Sequence, residues 1–156
     1  MKKLLFIASM ALVFNACEKP LEEIYEASSK LEGINDEWVL AKVDQYDPNN
    51  KELVIDVTRV FANDNIELNM SSEDFTFSYN QDNPLYMGTS GTWSFDDDEA
   101  PSELNFAAVN GSDTVYYNCP LLRTVRSIDP TLEFSLTREC DNGNPTTVYH
   151  FTFQRK

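Results

Sequence analysis

The residues of this chain that could do chemistry are few: three cysteines (Cys17, Cys119 and Cys140), a single histidine (His150), and 26 carboxylates. A Ser-His-Asp relay would have to be built on His150. In the strand predicted over 146–154, parity points that side chain away from the apolar face, so the relay would sit on an outer sheet surface, and a surface histidine is the better reading. A glycosidase-type pair of carboxylates is decided by separation in space, and no pair stands out in sequence. Asp96-Asp97-Asp98-Glu99 has the charge to attract calcium, but it lacks the spaced Asp/Asn-Gly pattern of an EF-hand loop and sits just before Pro101 at a hairpin end. It reads as a solvated acidic loop. The chain shows no CxxC spacing, zinc-ligand spacing, Gly-rich phosphate loop or internal repeat. The expectation is a non-catalytic protein with no metal and no cofactor.

Cys17 belongs to a different kind of chemistry. Lys2 and Lys3 precede a mostly apolar run from Leu4 to Phe14, too short to span roughly 30 Å of hydrocarbon, which makes it a signal rather than a membrane helix. Phe14-Asn15-Ala16-Cys17 places a small residue before a cysteine and resembles the lipobox, where signal peptidase II cuts and the cysteine is diacylated. Residues 1–16 are thus expected to be removed and Cys17 to carry lipid, anchoring the protein to the outer membrane on its periplasmic or cell-surface face. Residues 17–32 read as an acidic tether. Glu18, Glu22 and Glu23, close behind Cys17, loosely resemble the surface-export signal of Bacteroidetes-type lipoproteins.

The formal net charge is −14, and removal of residues 1–16 takes away Lys2 and Lys3 and no acid, leaving −16. A field of this sign repels nucleic acid and anionic headgroups and favours basic partners or divalent cations, or serves solubility at a crowded surface. No nucleic-acid partner is expected. The remaining length, about 140 residues, is that of one domain with one core, taken here as residues 33–156.

From Trp38 onward the apolar period is two, punctuated by Asn, Asp, Gly and Pro about every ten residues, which argues an antiparallel all-β domain. Strands are predicted at 37–45, 52–61, 66–70, 74–79, 90–96, 103–109, 114–127 with a bend at Pro120, 131–140 and 146–154. Turn positions then set the register. A turn at Asn110 to Asp113 pairs Phe106 with Tyr117 and Ala108 with Val115; one at Asp141 to Asn144 pairs Phe134 with Phe151 and Leu136 with Tyr149. A loop at Ile128 to Thr131 pairs Val125 with Phe134 and Arg126 with Glu133, and it brings Cys119 opposite Cys140. As the two cysteines left after acylation of Cys17, in an oxidising compartment, these are expected to form a disulfide.

Gly91-Thr92-Trp93-Ser94-Phe95-Asp96, then Pro101-Ser102-Glu103-Leu104-Asn105-Phe106, the run LLRTVRSIDPTLEFSLTRE from Leu121 to Glu139, and the closing Tyr149-His150-Phe151-Thr152-Phe153 resemble the lipocalin-like domain of Bacteroidetes-type lipoproteins over most of residues 33–156. The resemblance implies an up-and-down antiparallel meander closing into a lipocalin-like, calycin-type barrel of about eight strands. The role of that family is largely unassigned. Such a barrel is just wide enough to be filled by side chains or to hold one small ligand. The inward residues that would line a ligand are Trp93, Phe95, Phe106, Tyr117, Arg123, Phe134, Leu136, Tyr149 and Phe151, with any site at a mouth where the loops 96–100 and 141–145 gather. Two functions follow as expectations. One is a binding or accessory module for a small apolar ligand or a glycan-handling partner; the other is a protein-binding barrel that inhibits a basic hydrolase, a lysozyme or a protease.

Overall fold

A computed structural model describes residues 30–61, 65–80, 87–140 and 143–156. The signal, Cys17 and nearly all of the tether lie outside the described residues. The elements in chain order are α1 (Lys30–Ile34), β1 (Asp36–Asp47), β2 (Asn50–Asp56), α2 (Thr58–Phe61), β3 (Glu67–Met70), β4 (Thr76–Tyr79), β5 (Ser90–Phe95), β6 (Glu103–Asn110), β7 (Asp113–Pro120), β8 (Thr131–Glu139) and β9 (Pro145–Arg155). Every pairing is antiparallel, and the neighbours run β7-β6-β5-β4-β3-β1-β9-β8, with β2 attached beside β1. A bridge between Leu121 and Phe134 brings the two ends of this path together, so the eight strands form a nearly closed barrel.

β1 holds this arrangement together because it serves three partners. Asp36 to Val39 pair with β3, Asp44 to Asp47 pair with β2 on the same edge, and β9 takes the other edge. A bulge at Ala41 makes this possible: it shifts the register with β9 and moves the inward positions from Trp38 and Leu40 to Val43.

Two of the predicted strands end early. The stretch read as 52–61 is strand only to Asp56; its carboxylate accepts the Thr58 N–H at 2.9 Å, caps the turn and starts α2 in spite of the β-branched run that follows. The stretch read as 114–127 stops at Pro120, and 121–130 crosses the end of the barrel instead. The tight turns leave less freedom. Phe106 pairs with Tyr117, Ala108 with Val115, Phe134 with Phe151 and Leu136 with Tyr149, as the turn positions require.

The inward face is one aromatic core. Phe134 is fully buried and lies 5.8 Å from Phe106, 5.6 Å from Phe151 and 5.6 Å from Phe153, centroid to centroid. Phe77 meets Phe106 edge-on at 4.9 Å. Offset and edge-to-face contacts at these distances are the favourable ones for rings.

Trp38 closes the base of the barrel. Its indole N–H donates to the Ile34 carbonyl at 3.0 Å, and the Arg155 guanidinium lies 5.1 Å over its ring. Arg155 also donates to the carbonyls of Ser127 at 2.6 Å and Gly33 at 2.9 Å, and pairs with Asp36 at 3.0 Å. α1 fits against 125–127 only because residue 33 is glycine: a Cβ there would stand 2.8 Å from the backbone carbon of Arg126.

Candidate functional site

Most of the inward stripe packs side chain against side chain. Trp93, Phe95, Phe106, Phe134, Leu136 and Phe151 are buried in mutual contact, and Tyr117 and Tyr149 are partly buried against the same cluster. Arg123 departs from the expected lining. It lies beyond the end of β7, exposed, donating to Thr131 at 3.1 Å and pairing with Glu133 at 3.5 Å, in the place expected for Arg126. Strand parity does not carry through Pro120, where the strand ends.

The cysteines depart from expectation for the same reason. Phe134 is bridged by Leu121 rather than Val125, a register displaced by four residues, and Cys119 and Cys140 are free thiols, one buried and one exposed. Cys119 lies opposite Leu104 in the core, where burial, with the nearby Glu103 charge, pushes its pKa up to about 12. Because the thiolate is the species that reacts, Cys119 is chemically quiet. Tyr79 shares this interior, and burial, with the nearby Cys119, raises its phenol beyond the ordinary range.

The loops expected to form one mouth lie at opposite ends. In an antiparallel meander successive connections alternate ends, so the β5–β6 loop carrying Asp96 to Ala100 sits at the base, while the β8–β9 turn sits at the upper end.

The base loop has a fixed shape. The Asp96 carboxylate accepts the Ser102 hydroxyl at 2.6 Å and the N–H groups of Ser102 and Glu103 at 2.9 and 2.8 Å. These bonds hold its pKa down at about 2, led by the Ser102 hydroxyl. Asp97 accepts the N–H groups of Glu99 and Ala100 at 2.8 and 3.0 Å, leaving Asp98 and Glu99 on the outside of a preformed turn. Beside it lies the 71–75 loop. Phe75 adopts φ 55°, rare for a bulky side chain, and is 41% exposed while its ring rests 5.5 Å from Trp93. The Trp93 N–H donates to the Phe75 carbonyl and its indole to the Ser71 carbonyl, which hold that loop in place.

Among the described residues four recesses lie around the barrel, including a groove of about 820 Å³ beside Lys42, Asp56, Thr58 and Arg59. One, of about 710 Å³, is a shallow groove over the outer ends of β1, β3, β4 and β5. Two more flank the gap between β7 and β8: about 270 Å³ on the inner side, lined by Tyr117, Leu136 and Arg138, and about 730 Å³ on the outer side, where the Tyr46 and His150 rings lie tilted by 35° with centroids 4.0 Å apart. Parity places His150 on this outer wall. Among the described residues no group of three His, Cys, Asp or Glu converges as a metal would require, and no helix is long and apolar enough to cross a membrane.

No protein-family model matches the chain, and no curated protein matches its sequence.

Proposed function

We propose that this protein is a lipid-anchored, non-catalytic module of the bacterial outer membrane, and that its barrel is a rigid scaffold displaying an acidic surface to a basic protein of the envelope, with a lysozyme or a protease as the expected class. The packed interior carries this reading. With Trp38, Phe106, Phe134, Phe151 and Phe153 each at most 1% exposed, recognition falls to the outside of the barrel. The inner recess at the upper end, about 270 Å³, falls below the roughly 300 Å³ at which small-molecule pockets begin, which disfavours an enclosed apolar ligand.

The charge distribution supports a basic partner. Lys42, Arg123, Arg155 and Lys156 are each engaged by an acid of the same chain, and acids outnumber bases 26 to 12 in the full sequence. A surface of this kind steers a cationic protein and fixes its orientation. The lipocalin-like resemblance and the lipobox at Cys17 belong to the same proposal.

The test uses the mature acylated protein, its N-terminus verified by mass spectrometry as lipid-modified Cys17, against a basic lysozyme and a basic serine protease. Saturable binding should weaken steeply as salt rises, and Asp98→Lys with Glu99→Lys should weaken it by about tenfold. Capture of neither enzyme, with a thermal shift produced instead by an apolar fluorophore, would overturn the proposal in favour of a ligand-binding barrel.

A further inference from the structure

The sheet path begins at β7 and ends at β8, and these two strands meet only at the base, through the Leu121–Phe134 bridge and a 2.9 Å bond from the Leu122 N–H to the Glu133 carbonyl. Above that point the ladder stops. Alternation in an antiparallel pair tells which backbone groups face the gap, because every second residue bonds to its partner and those between point the other way. The two-residue turn at Gly111-Ser112 makes Asn110 and Asp113 a closing pair. Asp113, Val115, Tyr117 and Cys119 therefore bond to β6, while Thr114, Tyr116 and Asn118 turn their N–H and C=O groups toward β8. On the opposite bank the Arg155 N–H donates to the Pro130 carbonyl at 2.9 Å, which phases the even-numbered residues of β8 onto β9 and leaves Thr137 facing the gap. Pro120 has no N–H to offer at the point where the ladder fails.

The gap thus has two exposed strand edges with no backbone partner among the described residues. It also has a recess on each face. Thr137 and Glu139 line both, the inner one continuing to Tyr117 and Leu136 and the outer one to Leu122 and Glu103. A strand sends successive side chains to opposite faces, so a gap with a recess on either side has the form that an added strand requires. The neighbouring apolar exposure agrees: Tyr116 is 75% exposed on an edge that proteins ordinarily cover or blunt with charge.

We propose that this seam receives an extended segment of a protein partner, added to the free edge of β7 as a further strand. Its inward side chains are apolar, set against Tyr117 and Leu136, and its outward side chains are basic, set against Glu103 and Glu139. This rests on the reading that the partner is a basic protein, and it adds the place and the mode of contact.

The probe is a nine-residue peptide of alternating Lys and Val, compared with its Glu-Val counterpart, on the full mature protein. The Lys-Val peptide should bind saturably and the Glu-Val peptide at least tenfold more weakly. Amide hydrogen exchange at Tyr116, Asn118 and Thr137 should slow by tenfold or more, with no change at the base. Tyr116→Pro removes a donor that points away from β6 and should abolish binding while leaving the melting temperature near that of the parent. A peptide N-methylated at alternate residues makes the same cut without touching the protein, and should not bind. Absence of binding, equal binding of both peptides, or binding that leaves these three amides unprotected would overturn the proposal. If a basic hydrolase is captured while the seam amides stay open, the seam is wrong and the proposed function stands. A peptide bound in the seam with no hydrolase captured upholds the seam and overturns the proposed function.

Discussion

The two ends of the β7–β8 boundary are built from the same strands and differ completely. At the base, α1, the 121–130 segment and the end of β9 converge on Trp38, and Arg155 joins them through two carbonyls, one carboxylate and one ring. At the upper end the strands part, and Val115 and Tyr116 stand exposed on a strand bonded along one edge. The difference teaches that strand pairing and packing are distributed unevenly along the barrel axis. The base is over-determined, so the upper end can keep unsatisfied backbone without unfolding the whole.

The contrast is broken most severely by removing an aromatic from each end. Trp38→Ala should cost about 3–5 kcal/mol in urea denaturation, the usual penalty for a buried large ring, while Tyr116→Ala should stay within about 0.5 kcal/mol. Similar losses for the two would mean that the seam is closed in solution.

A smaller effect separates the base loop from the rest of the acidic surface. The Asp96 carboxyl is held at about 2 in the folded protein, below its ordinary value near 4 in the unfolded chain. Its contribution is therefore present above pH about 4 and is lost as pH falls through that window toward 2. Asp96→Asn should lower stability at neutral pH and flatten the acid limb of the stability profile, read from melting temperature against pH.

The smallest expected effect concerns the thiols. In the native protein a disulfide-forming thiol reagent should label Cys140 at once and Cys119 only after unfolding, and reducing agent should leave the melting temperature unchanged. A melting temperature lowered by reductant would restore the Cys119–Cys140 link.

Much of the barrel is legible in the residue order. Asn110-Gly111-Ser112-Asp113 and the Asn-Gly turn after Cys140 are short enough that one register satisfies each, and the aromatics of β6 to β9 fall on one face with no further information. The 121–127 stretch is not legible by that logic, since Leu121, Arg123 and Val125 keep strand parity through a segment that has left the sheet. Two prolines, Pro120 and Pro130, bracket that segment; Pro120 reads as a bend in a continuing strand, whereas it ends β7, and the pair taken together is the signal of a crossing segment. The seam is hidden for a deeper reason. It is the absence of pairing between two hairpins, and no local pattern encodes a contact that is not made. The separation of the 96–100 and 141–145 loops, by contrast, needs only a count of strands.

β9 has a bearing on how the protein is made. It pairs with both β1 and β8, and its Arg155 and the neighbouring Lys156 reach back to Asp36, Glu37 and Glu67. The strand that joins the first to the eighth is the last of the nine to leave the ribosome. Until it arrives, β1 lacks one whole flank and the base has no arginine to bind it, so the nascent chain cannot complete its barrel before β9 has been made. Closure of the barrel is thereby deferred until the whole domain has been synthesised, and the early strands wait on the late one.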